Sequence, residues 1–112
     1  MRVCVIEGDG VGKEVIPAAV AVLEALHLGL EFVSASAGFE HFQKTGNAIP
    51  EATLQAITQA DTTLFGATSS PMTRVEGYRS PILAMRKACD LYANLRPIQS
   101  LPIALSRPAL DL

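Results

Sequence analysis

The sequence predicts an α/β domain with a mainly parallel sheet flanked by helices. Short apolar runs alternate along the chain with segments in which apolar residues recur at helical spacing, a pattern typical of βαβ units. The first run, residues 2–6 (RVCVI), is almost continuously apolar, as expected for a strand buried on both faces. Glycine and proline separate the segments, which indicates tight connections between them.

The first two thirds of the chain supply six predicted elements. They are a strand at 2–6, a helix that ends at Leu28-Gly29, a strand at 30–37, a short helix at 39–44, a helix that begins at Pro50 and a strand at 61–65. We expect Pro17 to be tolerated in the first helix, because its missing N–H costs little near a helix start. Leu54 and Ile57 mark the inner face of the third helix.

The last predicted helix and strand carry two arginines. Ser80-Pro81 is a helix-start signal, since serine can accept a first-turn N–H and proline fits the first helical position. Arg86 is three or four residues from Leu83 and Ile82, which puts the three side chains on one helical face. Residues 91–96 (LYANLR) then alternate as a strand that ends at Arg96.

Two guanidinium groups near one another favour a ligand with more than one carboxylate. Each guanidinium is a rigid fork of donors that matches a carboxylate with two parallel hydrogen bonds. The alternative interpretation is structural: Arg86 would be a solvated helix charge and Arg96 would cap a sheet edge.

Two loops at predicted strand ends also have two interpretations. The turn GDGVG (8–12) precedes a helix but lacks the G-x-G-x-x-G spacing, so it is either a tight turn that needs glycine or a ligand contact. The loop GATSSP (66–71) offers the hydroxyls of Thr68, Ser69 and Ser70 where open α/β sheets bind ligands, or is an ordinary polar loop.

Neither histidine has a partner at ligand spacing, and the acidic residues of the first turn are too scattered for a metal site.

Composition excludes several classes of function. With 112 residues the chain makes one domain at most, and 49% hydrophobic content is enough for a core. A net charge of −2 leaves no electrostatic footprint for nucleic acid, and no apolar run is long enough to span a membrane. We expect no signal peptide, because a strand-like run follows Met1 directly. Cys4 and Cys89 are predicted to be reduced and buried, which fits a cytoplasmic protein.

Four segments together resemble the β-decarboxylating dehydrogenases, the family of isocitrate, homoisocitrate, 3-isopropylmalate and tartrate enzymes. They are GDGVG (8–12), AGFEHFQKTGNAIPEATLQAI (37–57), LFGATSSP (64–71) and MRKACDLYANLRP (85–97). The last is long and specific. Because family members are much longer, the resemblance implies the N-terminal third of such an enzyme, with a truncated fold of the isopropylmalate/isocitrate dehydrogenase type.

The resemblance implies a set of binding residues in this chain. Arg86 and Arg96 would clamp the malate carboxylates, and Ser80 would touch the distal carboxylate. Ile82 and Leu83 would face the substrate tail. Contacts to the cofactor near its nicotinamide end would come from Val11, Ser69 and Ser70. The family's catalytic tyrosine and lysine and its metal-binding aspartates come later, so we expect no catalytic residue and no metal ligand here.

The implied reaction is the oxidative decarboxylation of an (R)-2-hydroxy acid of the 3-substituted malate type. The resemblance implies NAD or NADP as cofactor, with Mg²⁺ or Mn²⁺, in a homodimer or higher homo-oligomer. Its substrate would be a small di- or tricarboxylate of amino-acid biosynthesis. The short loop after SSP favours homoisocitrate or isocitrate, whereas the aliphatic Ile82 and Leu83 favour the alternative, 3-isopropylmalate. Other classes remain open: an inactive fragment or a small-carboxylate-binding domain.

The resemblance also suggests a division of the chain. Residues 1–97 would be a segment of the first domain, and residues 98–112 would start the connection to a second domain, with a further strand beginning at 109–112. Because that strand would lack its partners, we expect the isolated chain to expose apolar surface and to associate or be marginally stable.

Overall fold

A three-stranded parallel sheet forms the centre of the protein, in a computed structural model that describes residues 1–98. The strand order is β2-β1-β3. The strands are β1 (Arg2–Gly8), β2 (Glu31–Ala35) and β3 (Thr62–Ala67). The helices are α1 (Gly12–Ala25), α2 (Phe39–Thr45), α3 (Glu51–Gln59) and α4 (Pro81–Ala88). The predicted class, a parallel sheet flanked by helices, is confirmed.

Strand β1 is internal, as its apolar run predicts. It pairs in parallel with β2 on one side and β3 on the other, so that Cys4 lies between Val33 and Thr63. Its side chains alternate between two core clusters. Val3 and Val5 pack with Ile16 of α1 on one face of the sheet. On the other face a second cluster consists of Cys4, Ile6, Ala37, Ile49 and Ile57.

The second cluster is covered by α3 and α4. Ile57 is buried and Leu54 packs against the cluster, as the predicted inner face of α3 requires. Met85 and Cys89 bring α4 and its end onto the same cluster. Both cysteines are free thiols, with Cys4 buried and Cys89 half-buried. Burial raises the pKa of the Cys4 thiol, so this side chain stays protonated and apolar in character.

The predicted strand at 91–96 is wrong for the part of the chain that the structure describes. Residues 91–98 pair with none of the three strands, and Tyr92 and Leu95 are 98% and 89% exposed. The alternating pattern is there, but a strand forms only where a neighbour supplies hydrogen bonds and one face is covered. No described element supplies either for this segment.

The remaining boundaries lie close to the predicted ones. Gly46 ends α2 in the left-handed region with φ of 75°, as the predicted turn at 45–47 requires. Pro17 lies inside α1, and Ser80 and Pro81 hold the cap and first positions of α4. No helix among residues 1–98 is long and apolar enough to cross a membrane. The predictions for residues 99–112, including the strand at 109–112, lie outside the described residues.

Candidate functional site at the carboxyl edge of the sheet

Three loops meet at the carboxyl edge of the sheet. Because the strands are parallel, their carboxyl ends lie on one side, where open α/β sheets bind ligands. The loops are the turn after β1, the link from β2 to α2, and the long connection from β3 to α4. The backbone N–H of Asp9 donates to the carbonyl of Ala67 at 2.7 Å, which joins the first loop to the third.

The carboxylate of Asp9 holds the three loops together. The residue is only 2% exposed, and its oxygens accept three backbone N–H groups. Oδ2 accepts from Phe39 at 2.7 Å and from Ser69 at 2.8 Å, while Oδ1 accepts from Glu40 at 2.9 Å. Hydrogen bonds to a carboxylate are among the strong ones in proteins, and here they satisfy a buried charge with main-chain donors. We call Asp9 and these three donors the Asp9 edge.

Gly38 makes this arrangement sterically feasible. Its φ is 130°, a backbone conformation essentially confined to glycine. A Cβ atom at this position would lie 2.5 Å from Oδ1 and 2.6 Å from Oδ2 of Asp9. The Gly38 N–H also donates to the carbonyl of Ala48 at 2.8 Å. A side chain at residue 38 would therefore collide with the carboxylate that caps α2.

Tyr78 closes the third loop onto α2. Its ring packs edge-on against Phe39 and Phe42, with centroids 5.3 Å and 5.2 Å away. Its hydroxyl donates to the carbonyl oxygen of Ser69 at 3.1 Å. Burial raises the pKa of the Tyr78 phenol, and the nearby charge of Asp9 raises it further. The phenol therefore remains a neutral hydrogen-bond donor at physiological pH.

An ion pair lies on the exposed side of the Asp9 edge. Lys13 of α1 donates to Glu40 of α2, and the Glu40 carboxylate also accepts the N–H of Gly10 at 3.3 Å. The hydrogen bond to Glu40 raises the pKa of Lys13, and the hydrogen bond from Lys13 lowers the pKa of Glu40. Both side chains are solvated, so the pair is sensitive to salt.

The three residues predicted to contact a cofactor lie on loops at the carboxyl edge. Val11 is the cap residue of α1 and its side chain is 59% exposed. Ser69 is held through its N–H by Asp9, whereas the residue as a whole and its neighbour Ser70 are exposed. Gly8 and Gly10 have positive φ, which confirms that the turn needs glycine.

The residues predicted to contact substrate lie on α4 or in the residues that flank it. Ser80 is the cap residue, as predicted, but its side chain makes no capping hydrogen bond. Ser80 and Leu83 line one shallow groove with Lys87, one turn after Leu83. Ile82 and Arg86 lie outside that groove; Ile82 is 40% exposed and Arg86 is half-buried in the last turn.

Arg96 lies in the exposed segment after α4. Its Nε donates to Oδ1 of Asn94 at 3.4 Å. Since the predicted strand is not formed, no described sheet element orients this guanidinium toward Arg86. That the two arginines converge on one ligand stays a prediction.

Sequence reasoning missed Asp9, Gly38 and Tyr78 as the residues that shape this edge. One signal was present in the sequence: Asp9 lies between two glycines just after a buried strand. A residue in that place must lie at the carboxyl edge of the sheet. The N–H groups that Asp9 accepts come from 30 to 60 residues away along the chain. No local pattern marks such distant partners.

The sequence model of the family described as isocitrate/isopropylmalate dehydrogenase matches residues 2–110. The chain is 52% identical over 111 residues to an isocitrate/homoisocitrate dehydrogenase of Thermus thermophilus, covering 99% of this chain and 33% of that protein. It is 50% identical to a homoisocitrate dehydrogenase of Methanocaldococcus jannaschii, over 92% of this chain and 30% of that one. A 3-isopropylmalate/3-methylmalate dehydrogenase of the same organism is 43% identical, over 98% of this chain and 32% of that one.

Solved structures show the same relationship. A β-decarboxylating dehydrogenase from Thermococcus kodakarensis, in its apo form, superposes with a TM-score of 0.79 at 48% identity. The match covers 87% of this chain and 29% of that one. The chain thus spans about a third of the length of the curated relatives it matches.

Proposed function

The chain belongs to the isocitrate/isopropylmalate dehydrogenase family, and from this premise we propose that it forms part of an NAD- or NADP-dependent decarboxylating dehydrogenase. The substrate would be an (R)-2-hydroxy acid of the 3-substituted malate type. Because the chain spans about a third of its relatives, this activity is proposed for a complete enzyme that contains it as a homodimer or higher homo-oligomer.

We favour homoisocitrate or isocitrate as the substrate. Two relatives named for these substrates are 52% and 50% identical to the chain, against 46% and 43% for two relatives named for 3-isopropylmalate. One observation favours 3-isopropylmalate as a second candidate: Ile82 and Leu83 expose apolar side chains, which would suit a branched aliphatic tail.

The observation that carries the proposal is the joining of the glycine turn and the serine loop at the carboxyl edge through Asp9. Ser69 and Ser70 would offer hydroxyls to the nicotinamide ribose, and Val11 an apolar contact beside it. When bound, the nicotinamide would accept a hydride from the carbon that bears the substrate hydroxyl.

Arg86 and Arg96 would bind the substrate carboxylates, with Ser80 at the distal one. Their positive charges would hold the polyanion in place while the cofactor is reduced. Within residues 1–98, no three His, Cys, Asp or Glu side chains come together as metal ligands. A complete site for the Mg²⁺ or Mn²⁺ of the proposed enzyme would therefore need donors beyond the described residues.

The proposal is tested by assaying the complete enzyme for reduced nicotinamide with homoisocitrate, isocitrate and 3-isopropylmalate, each with NAD and with NADP. We expect turnover with the first two to exceed turnover with the third. The 112-residue chain, assayed in parallel, is expected to be inactive. If the complete enzyme turned over none of the three substrates, the proposed function would be wrong.

The roles of the arginines are tested by Arg86→Lys and Arg96→Lys in the complete enzyme. A lysine keeps the charge but cannot form two parallel bonds, so we expect kcat/KM to fall about a hundredfold, or about 3 kcal/mol. Arg2→Lys is the matched control, because Arg2 lies at the opposite end of β1, where it bonds to Glu31. If both variants kept the kcat/KM of the control, Arg86 and Arg96 would not be ligand-binding residues.

A further inference from the structure

Both backbone polar groups of Ser69 are held by side chains. Its N–H donates to Oδ2 of Asp9 at 2.8 Å, and its carbonyl accepts the hydroxyl of Tyr78 at 3.1 Å. The residue is nevertheless exposed, as is Ser70 after it. The main chain of this loop is therefore fixed at a point where its side chains are open to solvent.

The two side chains that hold Ser69 are themselves connected through α2. Asp9 accepts the first N–H groups of that helix, and Tyr78 packs on Phe39 and Phe42 of the same helix. The loop from β3 is thereby tied to α2 by one carboxylate and one phenol. Neither Asp9 nor Tyr78 is among the residues proposed above to touch a ligand.

We propose that Asp9 and Tyr78 are positioning residues that fix Ser69 and Ser70 for the nicotinamide half of the cofactor. The inference rests on the function proposed above. Its physical basis is preorganisation: a loop that is already ordered loses less conformational entropy when it binds, so the ligand binds more tightly.

The ring and the hydroxyl of Tyr78 make different contacts, so packing against α2 and positioning of Ser69 can be tested separately. Its ring packs against α2, whereas its hydroxyl donates only to Ser69 among the described residues. Tyr78→Phe keeps the ring and removes the hydroxyl, so it releases one end of Ser69 without opening the aromatic cluster. Asp9→Asn releases the other end but also weakens the cap of α2.

The first test is hydrogen exchange of backbone amides in the complete enzyme, measured without cofactor or substrate. In Tyr78→Phe we expect the Ser69 amide to exchange about three- to tenfold faster, the change that corresponds to one neutral hydrogen bond. The Phe39 and Glu40 amides should keep their wild-type rates. Equal acceleration of all three amides, or no change at Ser69, would overturn the proposal.

The second test uses the complete enzyme. For Tyr78→Phe we expect the KM for the nicotinamide cofactor, and its dissociation constant by fluorescence of the reduced form, to rise about three- to tenfold. The kcat should change less than about twofold. A merely structural role would lower the amount of folded enzyme without changing the affinity of the enzyme that remains folded.

Thr58→Val is the matched control for both tests. Its hydroxyl also donates to a main-chain carbonyl, that of Leu54 at 3.1 Å, but it lies on the exposed side of α3. If Tyr78→Phe bound the cofactor as tightly as this control, the positioning role would be wrong. An inactive wild-type enzyme would instead refute the proposed function, and the exchange rates would still report whether Tyr78 holds Ser69.

Discussion

The Asp9 edge draws on three of the four segments that carry the resemblance, and the segment after α4 holds most of the fourth. The two regions differ in how far the described residues bury their side chains or bond to them. At the Asp9 edge a buried carboxylate accepts three main-chain donors from two distant loops. In residues 91–98 the apolar side chains of Leu91, Leu95 and Ile98 are 48%, 89% and 59% exposed. The described residues bury the carboxylate of the Asp9 edge, but they leave the apolar side chains of residues 91–98 exposed.

This difference shows that a segment can be typical of a family although the described residues alone do not fold it into a strand. The segment MRKACDLYANLRP is the most specific part of the resemblance, but an alternating pattern only defines which side chains share a face. The turn GDGVG is a weaker signature, yet it folds fully because its partners lie within the described chain. A sequence pattern that is specific to a family therefore does not show whether the residues that would pack against it lie in the same part of the chain.

Gly38→Ala is the largest expected perturbation of the Asp9 edge. The new methyl group would occupy a glycine-only conformation and press on a carboxylate that three N–H groups hold in place. We expect a loss of about 4 kcal/mol in the free energy of unfolding, from backbone strain and displaced charge-assisted bonds. Urea unfolding of the complete enzyme, followed by circular dichroism, measures it.

Gly10→Ala is the control for that substitution. Gly10 also has a positive φ, of 51°, but a Cβ atom there meets nothing within 4 Å. We expect a loss of only about 1 kcal/mol, the cost of the left-handed conformation alone. Equal losses for Gly10 and Gly38 would mean that the contact with Asp9 does not constrain the edge.

Asp9→Asn is expected to have the next largest effect. An amide has one acceptor oxygen where the carboxylate has two, so at least one buried N–H group loses its partner and faces an NH₂ group instead. We expect a loss of about 3 kcal/mol in the free energy of unfolding. Thermal and urea unfolding of the variant and of the wild-type complete enzyme provide the comparison.

Two control substitutions, one at an exposed carboxylate and one in the exposed segment, give the scale for that loss of stability. Asp61→Asn alters a carboxylate that accepts one N–H, that of Arg2 at 2.7 Å, at an exposed site, and should cost less than about 1 kcal/mol. Leu95→Ala, in the exposed segment, should cost less than about 0.5 kcal/mol. If Asp9→Asn lowered the free energy of unfolding no more than Leu95→Ala does, the Asp9 edge would contribute no more to stability than the exposed segment.

Much of the fold follows from local patterns. The apolar run at 2–6 predicts an internal strand, and Val3 and Val5 are indeed buried on β1. Gly46 and Pro81 mark the end of α2 and the start of α4 because each has a conformational property that few residues share. The strand at 91–96 was predicted wrongly, because pairing depends on a neighbour that the pattern does not specify.

The candidate site is less predictable, for a related reason. Its location at the carboxyl edge follows from strand direction, and Val11 and Ser69 lie on the loops there. Asp9 could not be identified as its centre, since the donors that it binds are tens of residues away. The placement of Arg86 and Arg96 about one substrate stays a prediction.

The smallest expected effect at the Asp9 edge is the pH dependence of the Lys13–Glu40 pair. Because the folded-state pKa of Glu40 is lowered, its contribution to stability is present above the unfolded-state pKa and is lost as the pH falls through the folded-state value. Because the pKa of Lys13 is raised, its contribution is present below the unfolded-state pKa and is lost as the pH rises through the folded-state value. The pair therefore stabilises the chain across the neutral range.

Glu40→Gln should accordingly lower the Tm slightly at neutral pH and low salt, and the difference from wild type should shrink on acidification and in high salt. Glu51→Gln is the control, because Glu51 lies in the first turn of α3 and forms no ion pair among residues 1–98. A Tm difference for Glu40→Gln that stayed constant at acidic pH would assign the effect to the hydrogen bond from Gly10. The ion pair would then contribute nothing, and the stability of this edge would come from the main-chain N–H groups that bond to the carboxylates of Asp9 and Glu40.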